Sequence, residues 1–269
     1  MDLLPKNHKQ FQEESYWSTF FQDKKTRQGF EWYASYEELE YYLKQSIKDQ
    51  EQRLLVVGCG NSLLSEKMHK QMGFKKAITS IDFEENVIKK MSNRGVEGVE
   101  YQVMDALHMT FEDQSFDYAI DKGTLDALCA DRTPETATKV VDYFNEVVRV
   151  LNAKGGTYIV VSLLQDFVLD AIVSFFNKGL GNAHPDENIF EVRIQKVEKV
   201  AHKVNPDGST LLPFFITVKR TQIAATEAKL QDLRQRMAEI VYFVDLPGSK
   251  AEMLPVAGLA DRVKKEQIL

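Results

Sequence analysis

Between Arg53 and Val161, short apolar runs alternate with stretches in which apolar residues return every three or four positions. That alternation predicts parallel strands joined by helices. Leu54–Val57 reads as a buried strand ending at Gly58-Cys59-Gly60, and Leu63–Met72 as a helix with Ser62 as N-cap and Gly73 as its stop. Ala77–Ile81 is a second strand ending at Asp82, Glu85–Met91 a helix, Val99–Met104 a third strand ending at Asp105, and Phe116–Ile120 a fourth ending at Asp121-Lys122-Gly123. Thr133-Pro134 opens the clearest helix, because proline is preorganised for the first helical turn and threonine can cap it. Val140, Val141, Phe144, Val147, Val148 and Leu151 recur on one face, predicted to pack on the sheet. After Gly155-Gly156 come a strand, Tyr158–Leu163, and a helix, Phe167–Phe176. Glu191–Val204 and Leu211–Lys219 flank the turn signal Asn205-Pro206-Asp207-Gly208, so the sheet is expected to finish with an antiparallel pair.

Two flanks lie outside this pattern. Residues 1–50 carry both tryptophans and a dense set of other aromatics, which predicts an N-terminal cap over residues 53–220, the core. Ile223, Leu230, Leu233, Met237 and Ile240 mark an amphipathic helix, which makes residues 221–269 a helical C-terminal extension. The expectation is one α/β domain: a doubly wound, mostly parallel, seven-stranded sheet.

Composition narrows the function. A chain of 269 residues, 43% apolar and 28% charged, can bury a sizeable core. With 34 Lys and Arg against 40 Asp and Glu, the charge is −6 and no bulk field favours a nucleic-acid partner. Two cysteines and five scattered histidines make neither a disulfide framework nor a metal site. No apolar run reaches the roughly 18 residues that a membrane helix needs, and the polar start does not resemble a signal. A cytoplasmic location without membrane attachment is expected.

In a parallel sheet ligands bind beyond the carboxyl ends of the strands, so the residues ending each strand carry the chemistry. Gly58 and Gly60 allow another molecule to approach the backbone at the start of the next helix, but a dinucleotide fingerprint would have a third glycine where Leu63 stands. Asp82 can accept both hydroxyl hydrogens of a ribose, and Asp105 can face an adenine edge while Ala106 offers backbone hydrogen bonds. Each alone could be an ordinary turn residue. One unit apart and in register, they suggest an adenine nucleoside with no phosphate requirement, which points to S-adenosyl-L-methionine (AdoMet), with S-adenosyl-L-homocysteine as product.

The whole pattern resembles the seven-stranded class I methyltransferases. Leu55–Ser62, Asp82, Met104-Asp105 and Asp121-Lys122-Gly123-Thr124-Leu125-Asp126-Ala127 are similar to the methyltransferase-like family that modifies elongation factor 1-alpha, as are Tyr16-Trp17 and Phe30-Glu31-Trp32-Tyr33. The resemblance spans roughly residues 3–220. It implies protein lysine methylation, with Gly58, Asp82, Phe83, Asp105, Ala106, Lys122, Trp17, Phe21 and Trp32 contacting the cofactor. Longer members carry a second methyltransferase domain, and by this resemblance the chain looks like the amino-terminal catalytic half or a single-domain relative. Trp17 and Trp32 could also offer π faces to a sulfonium, although clustered aromatics are more often simply core.

Methyl transfer needs alignment rather than a covalent nucleophile. A free lysine, with a pKa of about 10.4, is neutral in on the order of one molecule in a thousand near pH 7, so the site must help it shed a proton. Asp121, Lys122 and Asp126 form the candidate catalytic set, with Asp121 orienting the amine; alternatively Asp121 pairs with Lys122 or caps Thr124. No Asn/Asp-Pro-Pro-Tyr/Phe segment of the kind used on flipped bases occurs. Two other readings stay open: an NAD(P)-dependent oxidoreductase using the same first unit, disfavoured by Leu63, and a noncatalytic adaptor docking through the helix Ile223–Ile240. The sequence does not decide whether the chain forms a homodimer.

Overall fold

The computed structural model describes residues 8–23, 29–178, 189–200, 212–221, 240–244, 252–255, 259 and 261. Strand β1 (Leu54–Val57) is buried at every position, as a run without polar alternation requires. It is flanked by β2 (Ile78–Asp82) and β4 (Tyr118–Lys122), both parallel to it. β3 (Val99–Val103) adds to β2 and β5 (Thr157–Ser162) to β4, again in parallel. β7 (Phe214–Thr221) then enters antiparallel between β5 and β6 (Ile189–Lys196), the antiparallel finish that was predicted; the turn expected at 205–208 lies outside the described residues.

The sheet does not stop at seven strands. Among the described residues it has nine, in the order β3-β2-β1-β4-β5-β7-β6-β8-β9, because β8 (Ile240–Val244) pairs with β6 and β9 (Glu252–Pro255) with β8. This corrects the expectation of a purely helical C-terminal extension. Most of the expected helix, residues 222–239, lies outside the described residues, and Ile240 opens a strand instead.

Alternation along β1 divides the core into two layers. Leu55 and Val57 face α6 (Pro134–Val150) and α7 (Asp166–Lys178), with Phe144, Val147, Ile172 and Phe176. Leu54 and Val56 face α2 (Tyr36–Ser46), α3 (Leu64–Met72) and α4 (Glu85–Ser92), with Leu39, Leu43, Met68 and Ile88. The N-terminal segment is therefore only partly a cap. Its α2 is structural core, and the Tyr42 hydroxyl donates to the Lys196 carbonyl at 2.9 Å. Glu38 accepts from the Ser35 N–H at 2.7 Å and so fixes where α2 begins.

Local signals set most of the helix ends. Thr133 caps α6 by accepting from the Thr136 N–H at 3.2 Å, with Pro134 next to it. Gly73 ends α3 in the left-handed conformation, but the N-cap position is Leu63; Ser62 sits one residue earlier and accepts from the Leu64 N–H at 3.1 Å. Val141, predicted on the packed face of α6, is 45% exposed. The fourth strand runs two residues later than expected, starting at Tyr118 and carrying Asp121 and Lys122 within it.

Candidate active site

Where β1 ends, two glycines are required for different reasons. Gly58 has φ +59°, and a Cβ there would fall 2.0 Å from Thr124 Oγ1. Thr124, at the start of α5 (Thr124–Leu128), occupies that space because its hydroxyl donates to the Val57 carbonyl at 3.0 Å. Gly60 has φ +50°, and its missing Cβ leaves room for the Phe21 ring, 3.0 Å from where that atom would lie. Cys59 between them is buried, and burial holds its thiol well above the ordinary pKa, so it packs rather than reacts.

Asp82 ends β2 almost fully buried. One carboxylate oxygen accepts from the Gly60 N–H at 2.8 Å and the other from the Glu84 N–H at 3.0 Å. Burial raises its pKa to about 6, against the lowering effect of those backbone bonds. Beside it the Phe83 ring is 41% exposed. Asp105 lies two residues past β3, where it accepts from the Leu107 N–H at 2.9 Å and meets His108 Nδ1 at 3.1 Å.

The cap closes over these groups as an aromatic sheath. Trp17, on α1 (Glu14–Gln22), stacks on Phe21 at 5.9 Å, and its indole N–H donates to the Phe11 carbonyl at 2.7 Å. Phe20 stacks on Trp32 at 5.3 Å. Ser18 bonds Glu84, joining α1 to the residue before α4. Glu31, named in the sequence only within the segment Phe30-Glu31-Trp32-Tyr33 and given no role there, organises the closure: its carboxylate accepts from Ser62 Oγ at 2.6 Å and the Leu63 N–H at 2.8 Å, and lies 3.0 Å from Lys122 Nζ. Lys122 also donates to the Trp32 carbonyl at 3.2 Å.

These elements enclose one cavity of about 410 Å³, within the usual range of about 300–1,000 Å³ for small-molecule sites. Trp17, Phe21, Trp32, Gly58, Gly60, Asp82, Phe83, Asp105, Ala106 and Lys122 all line it, together with Tyr33, Gly123, Thr124 and Lys139.

Asp121 and Asp126 are placed differently: neither lines the cavity. Asp121 is fully buried, and one of its oxygens accepts from the Tyr143 hydroxyl at 2.6 Å, the Leu125 N–H at 2.9 Å and the Tyr158 hydroxyl at 3.0 Å. The other accepts from the Thr124 N–H at 2.8 Å, the capping alternative weighed above. The carboxylate is thus committed to the framework, and the expected contact with an incoming amine is corrected to a structural role. Burial raises its pKa to about 6, opposed by the two tyrosine hydroxyls. Asp126, on α5, accepts from the Leu163 N–H at 3.1 Å, while its Oδ2 is buried without a hydrogen bond. Burial carries its pKa to about 7, with the Asp121 charge pushing the same way.

The site therefore follows the strand-end logic of a nucleoside-binding α/β sheet. A methyltransferase domain model matches residues 48–203. The chain belongs to this methyltransferase domain family. It is 39% identical over 223 residues to an eEF1A lysine and N-terminal methyltransferase homolog of Drosophila melanogaster, covering 81% of this chain and 31% of that protein. It is 43% identical over 185 residues to the eEF1A lysine and N-terminal methyltransferase of Xenopus laevis, covering 66% and 26%. The chain thus spans less than a third of the length of these curated relatives. A solved SAM-dependent methyltransferase from Aquifex aeolicus has the same fold, with a TM-score of 0.50 at 13% identity over 76% of this chain and 97% of that one. The methyltransferase domain accounts for β1 to β6, with the cap and the far strands added around it.

Proposed function

We propose that the protein is an AdoMet-dependent protein lysine N-methyltransferase acting on elongation factor 1-alpha. The observation that carries this reading is the buried Asp82 carboxylate, held by the Gly60 N–H beside an exposed Phe83 ring on the wall of one cavity.

The residues fit AdoMet. Each Asp82 oxygen keeps acceptor capacity beyond its one backbone bond, enough for the two hydroxyls of a ribose. Phe83 offers a ring face to a base, and Ala106 a backbone edge. Lys122 spends two of its three donors on Glu31 and Trp32, leaving one for a carboxylate. Trp32 Nε1 is a buried donor without a partner on the cavity wall, and the rings of Trp17 and Trp32 suit a positively charged sulfur. When bound, AdoMet supplies a methyl group activated by its sulfonium charge. The chain's own residues hold, orient and shield it from water.

The substrate follows from the names of the relatives, and the lysine amine from the family resemblance of the segment Asp121-Lys122-Gly123-Thr124-Leu125-Asp126, of which Lys122, Gly123 and Thr124 line the cavity. Incubation with labelled AdoMet and purified elongation factor 1-alpha, followed by mass spectrometry, should find methyl groups on lysine. Calorimetry should show heat with AdoMet and S-adenosylhomocysteine and none with NAD. Binding of NAD alone would overturn the reading, and label on a different protein would overturn the substrate.

A further inference from the structure

Sheet order distinguishes the two ends of the cavity. The groups that fit a nucleoside, Asp105 and Ala106 past β3 and Asp82 and Phe83 at β2, lie on one side of β1, and Lys122, Gly123 and Thr124 at the end of β4 lie on the other. Helix α1 crosses the opening between them. Its later residues reach the β1 and β2 side, where Ser18 bonds Glu84 and the Phe21 ring packs on Gly60. Its first residue, Glu14, and the turn before it, His8–Gln12, belong to the far side, where Gln12 Nε2 donates to the Leu128 carbonyl at 2.9 Å and to Thr136 Oγ1 at 3.0 Å. With the base and ribose over β3 and β2, the reacting end of the cofactor points toward β4. The cavity wall beyond that point includes Phe11, Glu14, Tyr33, Ala127 and Leu128.

Two of these residues stand out. The Ala34 N–H donates to the Trp32 carbonyl at 2.6 Å across Tyr33, whose φ is +61°, which makes a three-residue turn of the rare, strained kind. Lys122 donates to the same carbonyl at 3.2 Å, and the Tyr33 ring is seated on Gly123, where a Cβ would fall 3.2 Å from its Cε2. The fold therefore fixes an aromatic ring at the β4 end of the cavity in spite of backbone strain, the pattern of a ligand clamp. Glu14 is exposed on the rim and forms no ion pair among the described residues. Lys139, the cation on that side of the wall, lies 3.0 Å from Glu135, which leaves the Glu14 charge open to an incoming group.

Apolar walls with a free carboxylate at the mouth complement a long aliphatic stem carried by a positively charged segment. We infer that the end of the cavity past β4 is the acceptor channel, in which the Tyr33 ring guides the methylene stem of the target lysine and the Glu14 carboxylate selects a basic segment around it. Both are substrate-binding residues, and neither exchanges a proton or a covalent bond during transfer. The inference rests on the lysine methylation reading above and adds which side chains read the acceptor.

The test is steady-state methylation of elongation factor 1-alpha by the intact chain, alongside calorimetry with S-adenosylhomocysteine. Glu14→Lys should raise KM for the protein substrate about 10-fold and leave kcat within about two-fold, because a rim charge acts on encounter. Wild-type KM should rise between about 50 and 300 mM salt, and Glu14→Gln should flatten that rise. Tyr33→Ala should raise KM about 10-fold through loss of contact with the stem, and Tyr33→Phe, which keeps the ring, should recover most of the loss. Affinity for S-adenosylhomocysteine should stay within about two-fold in each variant. Should Tyr33→Ala fail to fold, the Glu14 variants decide. An unchanged KM in either folded variant would overturn the inference and leave the methyltransferase reading intact. A loss of S-adenosylhomocysteine affinity that matches the rise in KM would move these residues to the cofactor and overturn it equally. A wild-type chain that binds S-adenosylhomocysteine but transfers no methyl group would overturn the reading and the inference together.

Discussion

The Glu31 carboxylate lies 3.0 Å from the Lys122 ammonium, and the Lys122 side chain is only 5% exposed. The same carboxylate holds Ser62 and the Leu63 N–H, so one side chain ties the cap to the loop after β1 and to the end of β4. Removing its charge leaves a buried ammonium without a counter-ion. Glu31→Gln should lower unfolding free energy by about 3 kcal/mol, the low end for breaking a buried pair because Glu31 is partly exposed. Urea denaturation checks this, and a loss below about 1 kcal/mol would remove the tether from the account.

Asp82 predicts a pH-dependent affinity. Ribose hydroxyls donate to the charged carboxylate, so AdoMet should bind more tightly as pH rises through about 6 and then level off. Asp82→Asn should weaken binding by roughly 1–3 kcal/mol and abolish the slope. Calorimetry from pH 5 to pH 8 measures both, and a wild-type affinity flat across this range would remove the ribose role.

The four donors on Asp121 make it a stability residue. Asp121→Ala would strand two tyrosine hydroxyls and two N–H groups in the core, each at about 1–3 kcal/mol. The expected result is a loss on the order of 4 kcal/mol or more in chemical denaturation. Turnover of whatever folds should fall no further than cofactor affinity does, and a stable variant deficient only in turnover would restore Asp121 to the reaction.

Three buried carboxyls shape stability against pH. Asp82 and Asp121 titrate at about 6 and Asp126 at about 7, above the unfolded value of 3.8, so the folded chain holds their protons more tightly than the unfolded one. Their contribution is greatest below the unfolded pKa and is lost as pH rises through the folded values. Stability of the unliganded protein should therefore fall between about pH 4 and pH 7, at up to about 1.4 kcal/mol per pH unit for each group titrating. Asp131 and Glu146, whose pKa values are lowered, act at more acidic pH. Urea midpoints across this range provide the measurement.

Gly58→Ala combines an unfavourable left-handed backbone with a Cβ 2.0 Å from Thr124 Oγ1. The φ term alone is worth roughly 1–2 kcal/mol, and the clash should raise the total further and displace α5. Adding Thr124→Ala should recover part of the loss, a coupling that a double-mutant cycle reads directly.

Much of this architecture was legible because it is local. The strand and helix pattern from 53 to 163 repeats within short windows, and the groups ending β1 and β2 fall where the apolar runs stop. What the pattern could not carry is long-range pairing. Asp121 reads as a polar strand end, yet its partners Tyr143 and Tyr158 sit 22 and 37 residues away on faces that periodicity assigns to core. Glu31 reads as one acid among aromatics, and its ligands lie 31 and 32 residues on and at Lys122. The left-handed turn at Tyr33 has no glycine to announce it. The C-terminal strands were hidden because alternation and helical spacing are hard to separate in short apolar runs such as Ile240–Val244.

The knot around Asp121 draws α5, α6 and β5 together beneath one side of the cavity, while the opposite side hangs from a handful of polar bonds made by Gln12, Ser18 and Glu31. One rim is therefore cast with the sheet and the other is attached to it. Replacements at rim positions of residues 8–23 such as Glu14 can reshape the cavity mouth without touching the Asp121 knot, so variation falls more cheaply on this wall than on the other.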